Sequence, residues 1–154
     1  MDPNVADILA VAIDEFAQHG LAGARVDAIA ARTRTSKRML YYHFESKEGL
    51  YAAALAHAYA RVRERHPEPD LASQPPIDAL RAYVGHTFDV HVGNPDFVRL
   101  VMGENLLGGR FIRDAAPVRD RSARGLHELQ ALIERGQAAG AFRQGLRVLD
   151  VYAN

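Results

Sequence analysis

The chain has no cysteine, which excludes a disulfide framework, a thiolate nucleophile and a cysteine zinc site, and suits a reducing compartment. No apolar run comes near the roughly 18 residues that a membrane span needs. The acidic N-terminus, MDPNVADILA, has no basic flank of the kind a signal peptide carries. A soluble cytoplasmic protein is the expectation. Net charge is missing as well, since 19 Lys and Arg face 19 Asp and Glu. That balance excludes a disordered polyelectrolyte and a protein that coats nucleic acid by bulk charge alone. Strand-like alternation is weak throughout, and neither an internal repeat nor a low-complexity tract is present. Lysine occurs only at Lys37 and Lys47.

What is present is an all-α pattern with uneven charge. A length of 154 residues with 48% apolar content fits one compact unit with a real core. Met1 to Gly20 carries four acids and no Lys or Arg. Leu21 to Lys47 reverses this with Arg25, Arg32, Arg34, Lys37, Arg38 and Lys47 against Asp27 and Glu45, and the remainder is balanced. Val5, Ile8, Leu9, Ala12, Ile13 and Phe16 predict a first helix, with Asp2-Pro3 or Asn4 as cap and Gly20 as stop. Two short helices follow, Val26 to Thr33 and Ser36 to His43, the second capped by Ser36 with Leu40 and Phe44 turned inward. Ser46 caps a longer helix that Pro67 ends, and the proline-rich stretch His66 to Pro76 is a linker. Beyond it, one helix runs from Ile77 and closes before Pro95. Another is opened by the cap Asn94-Pro95-Asp96, runs to Gly108-Gly109 and is buried nearly all round; a long one is opened by Pro117 and ends near Gly136 or Gly140. Val148 to Asn154 reads as a helix begun and not finished.

Two short helices joined by a tight turn and preceded by a long one make a helix-turn-helix. On the second, Lys37, Arg38, Met39, Tyr41, Tyr42 and His43 are left for solvent or DNA. Cations in a first helical turn oppose the macrodipole, and a polyanion supplies a reason for them. Ile29-Ala30, Thr35-Ser36-Lys37, Leu40-Tyr41-Tyr42-His43-Phe44, Ser46-Lys47-Glu48 and Leu50 together resemble the N-terminal DNA-binding domain of the tetracycline-repressor (TetR/AcrR-like) family. The resemblance spans roughly Ile8 to Tyr59. It implies that Lys37, Arg38 and Met39 approach base edges in the major groove, and that Tyr41, Tyr42, His43 and Lys47 hold phosphates. Ser36 is chiefly a cap; Thr35 and Arg25 complete the implied DNA-binding set. Three positions depart from the family's pattern: Arg34 where glycine is usual in the turn, Gly49 where a Glu would complete a capping box with Ser46, and Met39 where a small hydroxyl residue is frequent.

The implied organisation is residues 1–47 for DNA binding, 48–65 as a connecting helix, and 66–154 as a helical ligand-binding and dimerisation domain that ends short of the family's usual extent. Effector-pocket candidates are Phe88, His91, Met102 and Asn105, with Phe97, Glu104 and Phe111 beside them. His86 and His91 are five apart and have no acidic cluster, so no metal site is expected. Gly108-Gly109 precedes no Lys-Ser or Lys-Thr, and no cofactor is expected. Ser122, His127 and Asp120 sit on one helix without a nucleophile elbow, which is no basis for a hydrolase. The favoured reading is a ligand-released repressor, a homodimer on a palindromic operator. The alternative is a helical interaction module whose basic, aromatic face meets an acidic protein.

Overall fold

The computed structural model describes residues 3–114 and 116–152, and the described residues form helices and turns without strands. The order is α1 Pro3–Gly23, α2 Val26–Arg32, α3 Lys37–Phe44, α4 Lys47–Arg65, α5 Pro76–Gly93, α6 Pro95–Leu106, α7 Arg110–Asp114, α8 Ala116–Ala138 and α9 Val148–Tyr152. In α1, Ile8, Leu9, Ala12, Ile13 and Phe16 recur at three- and four-residue steps and all are buried. This stripe packs α1 along α4 and α6 and against α2. Gly20 breaks the helix with φ 66°, and one further turn carries the chain to Gly23. The expected cap Asp2 and the side chain of Asn4 lie outside the described residues, as do the side chains of Asp120 and Ser122.

Two cores organise the chain. The first joins the α1 stripe to Val26, Ile29, Ala30, Leu40, the α4 residues Leu50, Tyr51, Ala54, Leu55 and Ala58, and Leu100 of α6. Phe97, Phe111 and Ile112 pack on it, so α6 and α7 share the core of the helix-turn-helix. Each fully buried large aliphatic residue here contributes about 1.5–3 kcal/mol relative to exposure. The second core contains Leu71, Ala79, Leu129, Leu132 and Ile133, with Phe142, Leu146, Val148 and Val151 against it. Here the linker is held, because the Arg135 guanidinium donates to the carbonyls of Leu71 (2.6 Å), Ala72 (2.7 Å) and Gln74 (2.9 Å).

Several elements differ from the sequence expectation. α6 is not buried all round: Leu100 and Glu104 are buried, but Met102 is 60% exposed, because α1 and α4 cover one face only. Asn94 precedes α6 without capping it; its amide donates to Val90 O (2.8 Å) and meets His66 Nε2 (3.1 Å). The short helix α7 has no local sequence cue. Of the two glycines offered as the stop of α8, Gly140 at φ 68° follows its end at Ala138, while Gly136 lies inside the helix, where a Cβ would run into the Phe142 ring. Val84, Phe88 and Val92 form an exposed apolar stripe along α5.

Candidate nucleic-acid interface

Helix α3 is seated from one side and open on the other. Ser36, in extended conformation, accepts a hydrogen bond from Met39 N (3.1 Å) and so satisfies one of the orphan amides of the first turn. Leu40 is fully buried and Phe44 half-buried, which fixes the rotation of the helix on α2 and α4. Lys37, Arg38, Met39, Tyr41, Tyr42 and His43 are consequently exposed, Tyr42 to 78%. The Tyr42 and His43 rings meet edge-on at 5.5 Å. The outward face is therefore cationic at its start and aromatic at its end.

The cations differ in how free they are. Lys37 Nζ pairs with Asp27 of α2 at 3.0 Å, and this hydrogen bond, helped by the Asp27 charge, raises the lysine pKa. Arg25 lies close enough for its charge to oppose that shift. Lys47 Nζ donates to Ala22 O (3.1 Å), so it closes the C-terminal end of α1 as well as opening α4. Arg32 pairs with Asp14 of α1 at 2.6 Å. The side chains of Arg25, Arg34 and Arg38 are exposed and have no ion pair among the described residues. Thr35 is half-buried and Ser36 exposed, both at the entrance to α3.

The turns on either side of α3 show what backbone two of the departing positions, 34 and 49, must adopt. Thr35 N donates to Ala30 O (3.2 Å) while Arg34 takes φ 54°. This is a Schellman close of α2, and it requires a left-handed residue at position 34. After α3, Ser46 N donates to Phe44 O (2.7 Å) around Glu45 at φ 65°, ψ −46°, a γ-turn of the rare positive-φ kind. Ser46 then caps α4 by accepting from Gly49 N (2.9 Å). Gly49 is thus not merely a missing Glu, since a Cβ at 49 would run into the Phe44 carbonyl oxygen. The tight return of the chain needs a residue without a side chain there.

Three contributors lie beyond local sequence rules. Buried Glu15 of α1 accepts from Arg25 N (3.0 Å) and caps α2 from across the interface, where Arg25 gives no side-chain cap. Glu104, fully buried, accepts from Phe111 N (2.6 Å) and Ile112 N (3.1 Å) and so starts α7, while its Oε2 has no hydrogen-bond partner among the described residues. Tyr51 of α4 stands edge-on to both Phe16 and Phe111 at 5.1 Å. Burial first, then the Glu104 charge, pushes its phenol up to about 12.

The expected effector residues do not converge. Phe88, His91, Met102 and Asn105 are exposed, and His91 Nδ1 lies 2.6 Å from Thr87 O of its own helix. Hollows lie elsewhere. One of about 170 Å³ is edged by Ile13, Ala58, Arg61, Asn94 and Phe97, and one of about 450 Å³ by Glu68, Asp70, Glu128 and Arg135. Of the aromatic candidates, Phe97 reaches the first, while Phe111 belongs to the first core.

Residues 8–54 match the model for bacterial regulatory proteins of the tetR family, and residues 76–154 match the tetracyclin repressor-like C-terminal domain. The chain belongs to the TetR family. It is similar to the HTH-type transcriptional repressor NicS of Pseudomonas putida, at 34% identity over 146 residues, covering 95% of this chain and 69% of NicS. The HTH-type transcriptional repressor SCO4008 of Streptomyces coelicolor is 31% identical over 141 residues, 81% of this chain and 69% of that protein. Among solved structures, SCO4942 of Streptomyces coelicolor superposes with a TM-score of 0.70 at 35% identity, over 96% of this chain and 72% of that one. The TetR-family regulator PfmR of Thermus thermophilus gives 0.73 at 27% identity, over 95% and 79%. This TetR-family chain is a DNA-binding transcriptional regulator, and its helix-turn-helix is α2–α3 seated on α1. No helix among the described residues is long and apolar enough to cross a membrane.

Proposed function

We propose that this TetR-family chain is a repressor that binds a palindromic operator as a homodimer, reads it with α3, and is released by a small effector. The observation that carries the reading is the open face of α3, where Arg38 and Tyr42 stand exposed while Leu40 anchors the helix. A major groove about 12 Å wide admits one helix. Lys37, Arg38 and Met39, in its first turn, face base edges; Arg25, Thr35, Ser36, Tyr41, Tyr42, His43 and Lys47 flank the backbone phosphates. Lys37 exchanges Asp27 for DNA on binding. The exposed stripe Val84, Phe88 and Val92 supports association with a second chain.

Release is proposed to run through α4. Its Tyr51 is gripped between Phe16 of α1 and Phe111 of α7, and a shift of α6 or α7 tilts α4 and changes the spacing of the paired reading helices. The effector candidates read from the sequence, Phe88, His91, Met102 and Asn105, stand exposed on α5 and α6, so an effector that uses them needs a rearrangement of these helices. Mobility-shift titration on duplexes that the wild-type protein selects from a random pool tests the DNA reading. Lys37→Ala, Tyr42→Ala and Lys47→Ala together are expected to abolish the shift at concentrations where wild type saturates, with two chains per duplex. Unchanged binding by the triple variant overturns it. A thermal-shift screen of small metabolites, followed by operator release with each hit, tests the effector.

A further inference from the structure

The Schellman close of α2 forces position 34 into the left-handed region, and glycine is the residue that occupies it without steric cost. The chain places an arginine there at φ 54°. Nothing in the folded protein explains that choice. The side chain is exposed, and among the described residues it makes no ion pair or side-chain hydrogen bond, in contrast to Arg32 on Asp14. It borders a shallow hollow with Asp7, Ala10, Val11 and Thr33, and the Asp7 carboxylate is not within ion-pair distance of it. Position 34 is two residues ahead of the Ser36 cap, at the mouth of the reading helix. Both lysines of that region are tied to Asp27 and to Ala22 O, so the unengaged positive charge around the start of α3 belongs to Arg25, Arg34 and Arg38.

We infer that Arg34 is a further DNA contact, its guanidinium fork holding a backbone phosphate beside the first turn of α3. The charge-assisted bond made in the complex offsets a backbone cost carried by the free protein. The inference rests on the reading in which α3 enters the major groove. It predicts opposite effects on folding and on binding, a combination that a structural role does not give.

The test uses the full chain and the duplex pool described above, with Arg34→Gly, Arg34→Asn and Arg34→Lys. Glycine and asparagine both tolerate the left-handed conformation, so neither is expected to lower Tm. Both are expected to weaken binding about fivefold per bound subunit and to reduce the slope of log K against log salt by about 0.9 per subunit. Arg34→Lys is expected to keep most of the slope. Wild-type affinity and slope in Arg34→Gly overturn the inference, and a lowered Tm in Arg34→Asn with unchanged affinity assigns the residue to Asp7 instead. Tyr42→Ala is the control: if it too binds normally, the placement of α3 fails and not Arg34 alone.

Discussion

Glu104 buries a whole carboxylate between α4, α6 and α7, and only one of its oxygens is served by hydrogen bonds. Removing it leaves the amides of Phe111 and Ile112 without an acceptor, and a cavity beside Tyr51. Glu104→Ala is expected to cost about 2–4 kcal/mol, read as a lower urea midpoint at unchanged m. Glu104→Gln keeps the shape and loses the charge, so it is expected to lower the Tyr51 pKa from about 12 while leaving it above its ordinary value of 10.0, because burial is the larger cause. Tyrosine absorbance titration reads this directly. The sign for stability follows. The folded phenol holds its proton more tightly than the unfolded one, so its contribution is complete below pH 10 and is lost as pH rises from 10.0 towards 12. Gly49→Ala is a second residue-scale test: with the Phe44 carbonyl in the way, it is expected to destabilise by about 2 kcal/mol or more in the same denaturation assay.

At the scale of the element, α3 is eight residues long and too short to persist without help. Its start depends on Ser36, and Ser36→Ala is expected to cost about 1 kcal/mol of stability and to weaken operator binding, both measurable in one set of purified protein. If Tm and affinity hold at wild-type levels, the cap is dispensable. This helix was legible in the sequence because all its determinants are local: Ser36 before the first turn, and Leu40 and Phe44 four apart. Helix α7 was not, because its N-terminus is set by Glu104 across two glycines. The same holds for Arg25 N on Glu15 and for Arg135 on the linker carbonyls, where partners are 10 and more than 60 residues apart. Residue type also misled at Met102 and Phe88, since apolar chemistry says that a side chain prefers burial and not which helix covers it. Which side chains of α3 face outward was legible, but the engagement of Lys37 with Asp27 and of Lys47 with Ala22 O was not. Those ties depend on how α1, α2 and α4 meet.

For the whole molecule, zero net charge and a basic excess confined to residues 21–47 predict binding that is strongly salt-dependent and short in range. Each phosphate neutralised is expected to contribute about 0.9 to the slope of log K against log salt. Lys47→Ala removes the proposed phosphate contact together with the closure of α1, so it is expected to lower both the salt slope and Tm, whereas Arg38→Ala is expected to lower the slope alone. Equal Tm losses in the two variants would mean that Lys47 does not stabilise α1. The shared first core has a consequence for engineering. Because Leu100, Phe97, Phe111 and Ile112 seal the underside of α1 and α4, a chimera spliced at the proline-rich linker would bring a foreign α6 and α7 against a surface moulded for these ones. Grafting this head onto another repressor's body is therefore expected to yield an aggregating hybrid unless those four side chains travel with it.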